Sequence, residues 1–225
     1  MIFLTLSGSI SVGKTLVLDY LKSKEYLVIN GRKINKSRIL FIEEPVGDFV
    51  SFQGYNALAQ MNQFTVASQI AINLCMYDLY SAKYKELESG NYDLVISERN
   101  IFSGRVFSKT LYELGLLTKY ELTVLNSFHD RFFVNLFPSP DFLLLISADP
   151  HICVSRIKSR AREGEECLSL DYIKRLCLCY DSSNLSEVYK TSKIIKIINN
   201  DQTKNELFNT VDEILRNLPN VPLKL

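Results

Sequence analysis

The stretch Ile2-Phe-Leu-Thr-Leu-Ser-Gly8-Ser-Ile-Ser-Val-Gly13-Lys14-Thr15 constrains this chain more than any other. Its apolar start reads as a buried strand and its middle as a glycine-bounded loop. The spacing of Leu16, Val17, Leu18 and Leu21 then reads as a helix. Gly-x-x-x-x-Gly-Lys-Thr between a strand and a helix is the setting in which this pattern forms a phosphate-binding loop. Glycines let successive backbone N–H groups converge on an anion, and the helix start adds its dipole and free donors. Gly8, Ser9, Ile10, Ser11, Val12, Gly13, Lys14 and Thr15 are therefore the expected contacts to the phosphates of a nucleotide such as ATP. Lys14 brings a mobile charge to the β/γ-phosphates, and Thr15 offers a hydroxyl to Mg²⁺.

At 225 residues the chain fits one α/β domain, 1–225, with length to bury a core. A formal net charge of +1 gives no electrostatic case for nucleic acid or an acidic membrane as partner. The five cysteines (Cys75, Cys153, Cys167, Cys177 and Cys179) form no Cys-x-x-Cys pair, and two histidines are too few for a zinc set. An odd cysteine count beside a nucleotide site predicts reduced thiols in a cytoplasmic compartment. Ser7-Gly8 ends the first apolar run before it reaches signal-peptide length, and no later run approaches a membrane span. A cytoplasmic enzyme without a targeting segment is the expectation.

Along the chain, apolar runs alternate with helical spacing. A helix over about 14–24 follows the loop. Asn30-Gly31 between apolar runs is a hairpin signal, although a polar loop fits equally. Arg38 to Glu44 reads as a second core strand stopped by Pro45, and 61–88 as one long helix ended by Ser89-Gly90. Asp93–Arg99 reads as a third strand, 117–133 as a helix, and Phe142–Ile146 as a fully buried strand. Asp149-Pro150 opens a helix, another covers 169–188, Lys193–Ile198 is a last strand and 203–217 a closing helix. The alternation predicts a parallel sheet of about five strands covered on both faces, with no repeat and no linker.

In such a sheet ligands bind at the carboxyl ends of strands. Three polar clusters fall there: the glycine loop, Glu43-Glu44-Pro45-Val46 and Glu98-Arg99. A carboxylate at the second suits a proton acceptor, and one at the third suits Mg²⁺ held through water. A fourth cluster, Arg156-Ile-Lys-Ser-Arg160-Ala-Arg162, carries guanidinium groups that stabilise charge on a transferring phosphoryl group. Arg156 and Arg160 share a helix face, and Arg162 is expected off it.

The glycine loop, Glu44-Pro45-Val46, Glu98-Arg99-Asn100 and the arginine run with Glu165 and Leu170-Asp-Tyr172 resemble, in order and spacing, the deoxynucleoside kinase family. The likeness covers nearly the whole chain and implies a P-loop kinase fold with an arginine-bearing lid at about 156–167. It implies Glu44 as general base for the nucleoside 5′-hydroxyl, Glu98 near Mg²⁺ with Thr15, and Arg99 near the 5′-oxygen. Arg160 and Arg162 become lid arginines on the ATP phosphates, and Glu165 a partner of the sugar 3′-hydroxyl, with Tyr55. Gln69 resembles the base-reading glutamine of the family, its amide matching O4 and N3–H of thymine. Ile72 lies in the same stretch, and Phe49 is the large aromatic beside the base. Ser108 stands where cellular relatives place a stacking phenylalanine, with Phe107 as its substitute if the helix is rotated. Met76 and Gly104 leave an apolar gap for the thymine 5-methyl, which implies thymidine and other pyrimidine deoxynucleosides as substrates. The resemblance also implies a homodimer through the 61–88 and 117–133 helices.

Two rivals remain. A thymidylate-type monophosphate kinase also carries a Glu-Pro, usually as Arg-Glu-Pro-Gly-Gly. Here Glu43 stands before Glu44, an acidic residue expected to repel a monophosphate. A non-catalytic nucleotide-binding regulator would keep the phosphate loop without need of Glu44, Glu98 and the arginines.

Overall fold

The computed structural model describes residues 1–60, 65–133, 136–165, 168–200 and 202–219. β1 (Ile2–Ser7) lies at the centre of a sheet ordered β4 (Ile39–Ile42), β5 (Leu94–Glu98), β1, β6 (Phe142–Ser147) and β7 (Lys193–Ile198). All four pairings are parallel, so the described residues form the five-stranded parallel sheet that the alternation predicts. The central strands are mostly apolar because both faces are covered. Leu4, Leu6, Ile96 and α1 (Lys14–Ser23) belong to one apolar cluster. Phe3, Val95, Leu40 and Ile42 point the other way and meet Met76 and Tyr80 of α3 (Thr65–Ser89). Inside this layer the Thr5 and Ser97 hydroxyls satisfy each other at 2.9 Å.

Of the two readings open for residues 26–38, the hairpin forms. β2 (Tyr26–Ile29) and β3 (Arg32–Asn35) pair antiparallel through Asn30 and Gly31, whose φ values of 48° and 73° suit a primed turn. Leu27, Ile29 and Ile34 are buried, and the Asn30 amide donates to the Leu215 carbonyl of α9 (Lys204–Arg216) at 3.0 Å. The excursion is thus packed against the closing helix.

A short α2 (Val46–Val50) follows Pro45, and α4 (Ser103–Glu113) follows β5. Residues 61–64 of the expected long helix lie outside the described residues. The 117–133 helix is α5 (Lys119–Phe132), shortened at its start by a Thr118/Glu121 capping box. The helix expected over 169–188 is two: α7 (Leu170–Cys179) and α8 (Ser182–Val188). The Asp181 carbonyl accepts from the Asn184 and Leu185 amides, which starts the second helix. α6 (Pro150–Arg160) starts with Asp149 as its cap, accepting from the His151 amide at 2.8 Å.

Candidate active site

Every strand of the sheet delivers its carboxyl end to one side, and a cavity of about 460 Å³ opens there. β1 passes into the glycine loop. Gly8 has φ +136°, and a Cβ there would stand 2.0 Å from the Ile146 carbonyl oxygen, so only glycine fits. Gly13 (φ +105°) precedes α1. Lys14 is buried and donates to the Ser9 carbonyl at 2.7 Å. Ile10, Ser11, Gly13, Lys14 and Thr15 line the cavity. Gly8, Ser9 and Val12 lie behind them, where Val12 accepts from the Asn199 side chain at 2.8 Å.

Next to the loop, β4 and β5 place their terminal carboxylates. Thr15 Oγ1 donates to Glu98 Oε1 at 2.7 Å. Burial pushes the Glu98 carboxyl above its ordinary pKa, against the pull of Lys14 and the Thr15 hydrogen bond. Burial, with the Arg99 charge beside it, brings the Lys14 ammonium down to about 7. These two hard oxygen donors at the loop's edge suit Mg²⁺.

Arg99 is the hub of the site. Its φ of 55° is left-handed, an uncommon conformation for a residue with a Cβ. The Arg99 amide donates to the Leu6 carbonyl at 2.8 Å, and its carbonyl accepts from the buried Tyr80 hydroxyl at 3.0 Å. The guanidinium forms an ion pair with Glu44 and lies 5.1 Å from the Phe107 ring centre. Burial is the largest single effect and opposes the Arg99 charge, but Glu44, Tyr180 and Glu98 together raise the guanidinium above its ordinary pKa.

The lid residues close the other side. α6 ends at Arg160, and Ala161 turns left-handed at φ 49°. That turn, rather than a helix face, brings Arg162 back to the cavity, so Arg156, Arg160 and Arg162 all line it. Arg160 donates to both Glu165 oxygens at 2.7 and 2.8 Å, and Arg162 donates to Oε1 at 3.3 Å. Arg156 instead holds the Asn200 carbonyl at 3.0 Å. Residues 166 and 167 of the expected lid, with Cys167, lie outside the described residues.

Beyond Glu44 the wall is apolar. Phe49, Ile72 and Met76 line it with Gln69. Phe107 also lines it, whereas Ser108 is buried off the wall, so the aromatic alternative open in the sequence falls to Phe107. Three expectations need correction. Tyr55 is 70% exposed and absent from the cavity. Left-handed Gln53 and Gly54 turn it outward, and Leu58 lines the wall near Gly164 instead. Glu43 does not face the cavity but pairs with Lys22 on the surface, so it cannot repel an incoming acceptor. Gly104 does line the cavity, but the space of its missing side chain is taken: a Cβ would meet Asn73 Oδ1 at 2.5 Å.

Asn73, Ser103, Asn199, Gln202 and Lys204 are polar wall residues that sequence reasoning missed, whereas Asn100 was named in its motif without a role. Asn199 follows directly on the last strand, so the rule applied to the other strand ends would have found it. Asn73 sits one helical turn after Gln69, a weaker signal. Among the described residues no cluster of His, Cys, Asp and Glu could hold a metal by itself, and no helix is long and apolar enough to cross a membrane.

A parallel sheet centred on a glycine loop, with a buried carboxylate–arginine pair and a cationic cover, defines a P-loop phosphoryl-transfer architecture. A family model described as deoxynucleoside kinase matches residues 4–218. The chain belongs to the deoxynucleoside kinase family. It is 31% identical over 196 residues to deoxyguanosine kinase of Dictyostelium discoideum, covering 84% of this chain and 61% of that protein. It is 25% identical over 174 residues to mitochondrial thymidine kinase 2 of Homo sapiens, covering 75% and 59%. Deoxycytidine kinase of Mus musculus is 26% identical over 204 residues, covering 84% and 77%. The chain thus spans about three fifths of the length of the first two relatives.

Proposed function

We propose that this protein transfers the γ-phosphoryl group of ATP to the 5′-hydroxyl of a 2′-deoxynucleoside. The observation that carries the reading is the Glu44–Arg99 pair, set between the phosphate loop and an apolar, amide-lined chamber in one cavity. Glu44 takes the hydroxyl proton as the new P–O bond forms and the bond from the γ-phosphorus to the β,γ-bridging oxygen breaks, releasing ADP. Lys14, Arg99, Arg160 and Arg162 offset charge spread over the phosphoryl oxygens. Residues 156–165 act as a lid within a single domain, and Glu165, exchanging its arginines for a sugar hydroxyl, orients the acceptor. Phe49 and Phe107 flank the base. Thr15 and Glu98 would hold Mg²⁺, which would supply positive charge against the phosphates.

The relatives carry the names of three different nucleosides, so the base is argued from the wall. Gln69 offers a donor and an acceptor to a Watson–Crick edge. Met76 supports thymidine as an acceptor, its adaptable side chain packing beside the 5-methyl edge that faces Met76 and Gly104. We also propose a homodimer. Leu74 and Tyr84 of α3 and Val124 and Phe132 of α5 are apolar yet exposed, and these two helices pack together. Light scattering at micromolar concentration should give twice the chain mass; a monomer refutes this.

The deciding experiment incubates labelled ATP and Mg²⁺ with thymidine, deoxycytidine, deoxyadenosine, deoxyguanosine and thymidine monophosphate in parallel. Monophosphate product from nucleosides, with none from the nucleotide, is expected. Diphosphate product from thymidine monophosphate would favour a monophosphate kinase. ATP binding without any turnover would favour a regulator.

A further inference from the structure

Asn73 is only 4% exposed, yet it lines the cavity. Its amide is not one of the polar atoms sealed in the core without a partner; it opens on the cavity, where a bound molecule can meet it. It stands one helical turn from Gln69, so both amides project from the same face of α3. The ideal Cβ position of Gly104 lies 2.5 Å from Asn73 Oδ1, 3.4 Å from Cγ and 3.7 Å from Nδ2. The absent side chain at Gly104 is what gives this amide its room. A wall meant only to receive a methyl group has no use for an amide open to the cavity, because covering it with carbon strands its donor and acceptor.

We infer that Asn73 is a specificity-determining residue that donates to N7 of a purine base, a contact that no pyrimidine can return. The inference rests on the nucleoside site proposed above, with the base edge beyond Gln69 directed at Met76 and Gly104. In thymine that edge carries the 5-methyl group and in cytosine a carbon, whereas adenine and guanine present the N7 acceptor. Rotation about the Cβ–Cγ bond turns the Asn73 NH₂ to N7, and the amide oxygen then accepts from N6–H of adenine. Gln69 takes the Watson–Crick edge and Asn73 the edge next to it, so one turn of helix reads both. Deoxyguanosine and deoxyadenosine are thereby substrates alongside thymidine.

The test compares deoxyguanosine with 7-deaza-2′-deoxyguanosine, which differs by replacing N7 with C–H. For the wild type, kcat/KM should be about tenfold lower with the deaza compound, the loss of one buried hydrogen bond. In Asn73→Leu the two should be equal within about twofold, and in Asn73→Asp, which keeps the size but loses the donor, likewise. Because each ratio is taken within one protein, partial unfolding of a variant cancels. Equal use of the two nucleosides by the wild type, or a tenfold contrast that survives in both variants, overturns the inference. Calorimetric binding of the same pair reads the contrast without turnover. Absent product with unequal affinities would sink the kinase reading alone; equal affinities would sink the Asn73 contact alone.

Discussion

Replacing Glu44 by glutamine keeps the shape of the side chain and removes its capacity to take a proton. The Glu44 and Arg99 side chains are 13% and 6% exposed, so their pair lies largely out of water. Glutamine still offers Arg99 a neutral acceptor, and the loss is that of a charge-assisted hydrogen bond, about 1.5–3 kcal/mol. For a chain of this size that lowers Tm by about 3–12 °C. Turnover should suffer more, because a general base contributes about 10²–10⁴-fold to kcat. Nucleoside KM should change far less, since the proton leaves only on the way to the transition state. Steady-state kinetics with thymidine, corrected for the folded fraction from a thermal melt, separates the two effects. A variant that keeps more than about a third of wild-type kcat would remove Glu44 from the role of base.

Three further outcomes are expected. Gly8→Ala forces a Cβ to 2.0 Å from the Ile146 carbonyl oxygen at a φ of +136°. Strain of about 1–3 kcal/mol should weaken ATP binding at least about fivefold by calorimetry, and unchanged affinity would contradict the loop geometry. The Lys14 ammonium, lowered to about 7 by burial and by Arg99, should regain a proton when a triphosphate arrives. Below that value it is already charged. Above it ATP binding takes up a proton and weakens by up to about tenfold per pH unit. Calorimetry at pH 8 in buffers of different ionisation heat should therefore register proton uptake, and its absence refutes the assignment. Tyr80→Phe removes the 3.0 Å bond to the Arg99 carbonyl. It should lower Tm by about 1–6 °C and reduce kcat more than it raises KM. Unaltered kcat would mean that other contacts hold the left-handed Arg99.

The sheet and the phosphate loop could be read because each strand is an apolar run that stops in charged or glycine-rich residues. Glu44, Glu98 and Arg99 announced themselves by that abrupt change. What could not be read depended on backbone turns that leave little trace in composition. Ala161 adopts a left-handed φ without being glycine, so helical periodicity left Arg162 off the face of Arg156 and Arg160 without showing the turn that brings it to the cavity. Gln53-Gly54 turns Tyr55 to solvent, and only the fold shows that Leu58 takes the wall position. The break between α7 and α8 falls at Asp181-Ser182-Ser183-Asn184, a polar run of helix-starting residues that the reading of one helix over 169–188 passed over. Asn73 illustrates another limit. A single polar residue on a long helix reads as a solvated position until its neighbours, here Gly104, are known.

The distribution of charge in the cavity also bears on which acceptor the site can take. Lys14, Arg156, Arg160, Arg162 and Lys204 line its loop and lid side. On the chamber side, among the described residues, Arg99 alone stands near the apolar wall, and Glu44 already neutralises it. An acceptor carrying its own phosphate would bring about two negative charges against this Glu44 carboxylate without a free cation to receive them. Desolvating them there would cost several kcal/mol per ion. An uncharged nucleoside would meet no such cost: in the proposed site its hydroxyl would donate to Glu44 and its base would face the amides of α3. In the proposed mechanism Arg160 and Arg162 would exchange Glu165 for ATP phosphates, one anionic partner replacing another, so that their charges stay paired. Glu44 and its paired arginine thus disfavour a monophosphate acceptor, whereas Glu43 faces solvent.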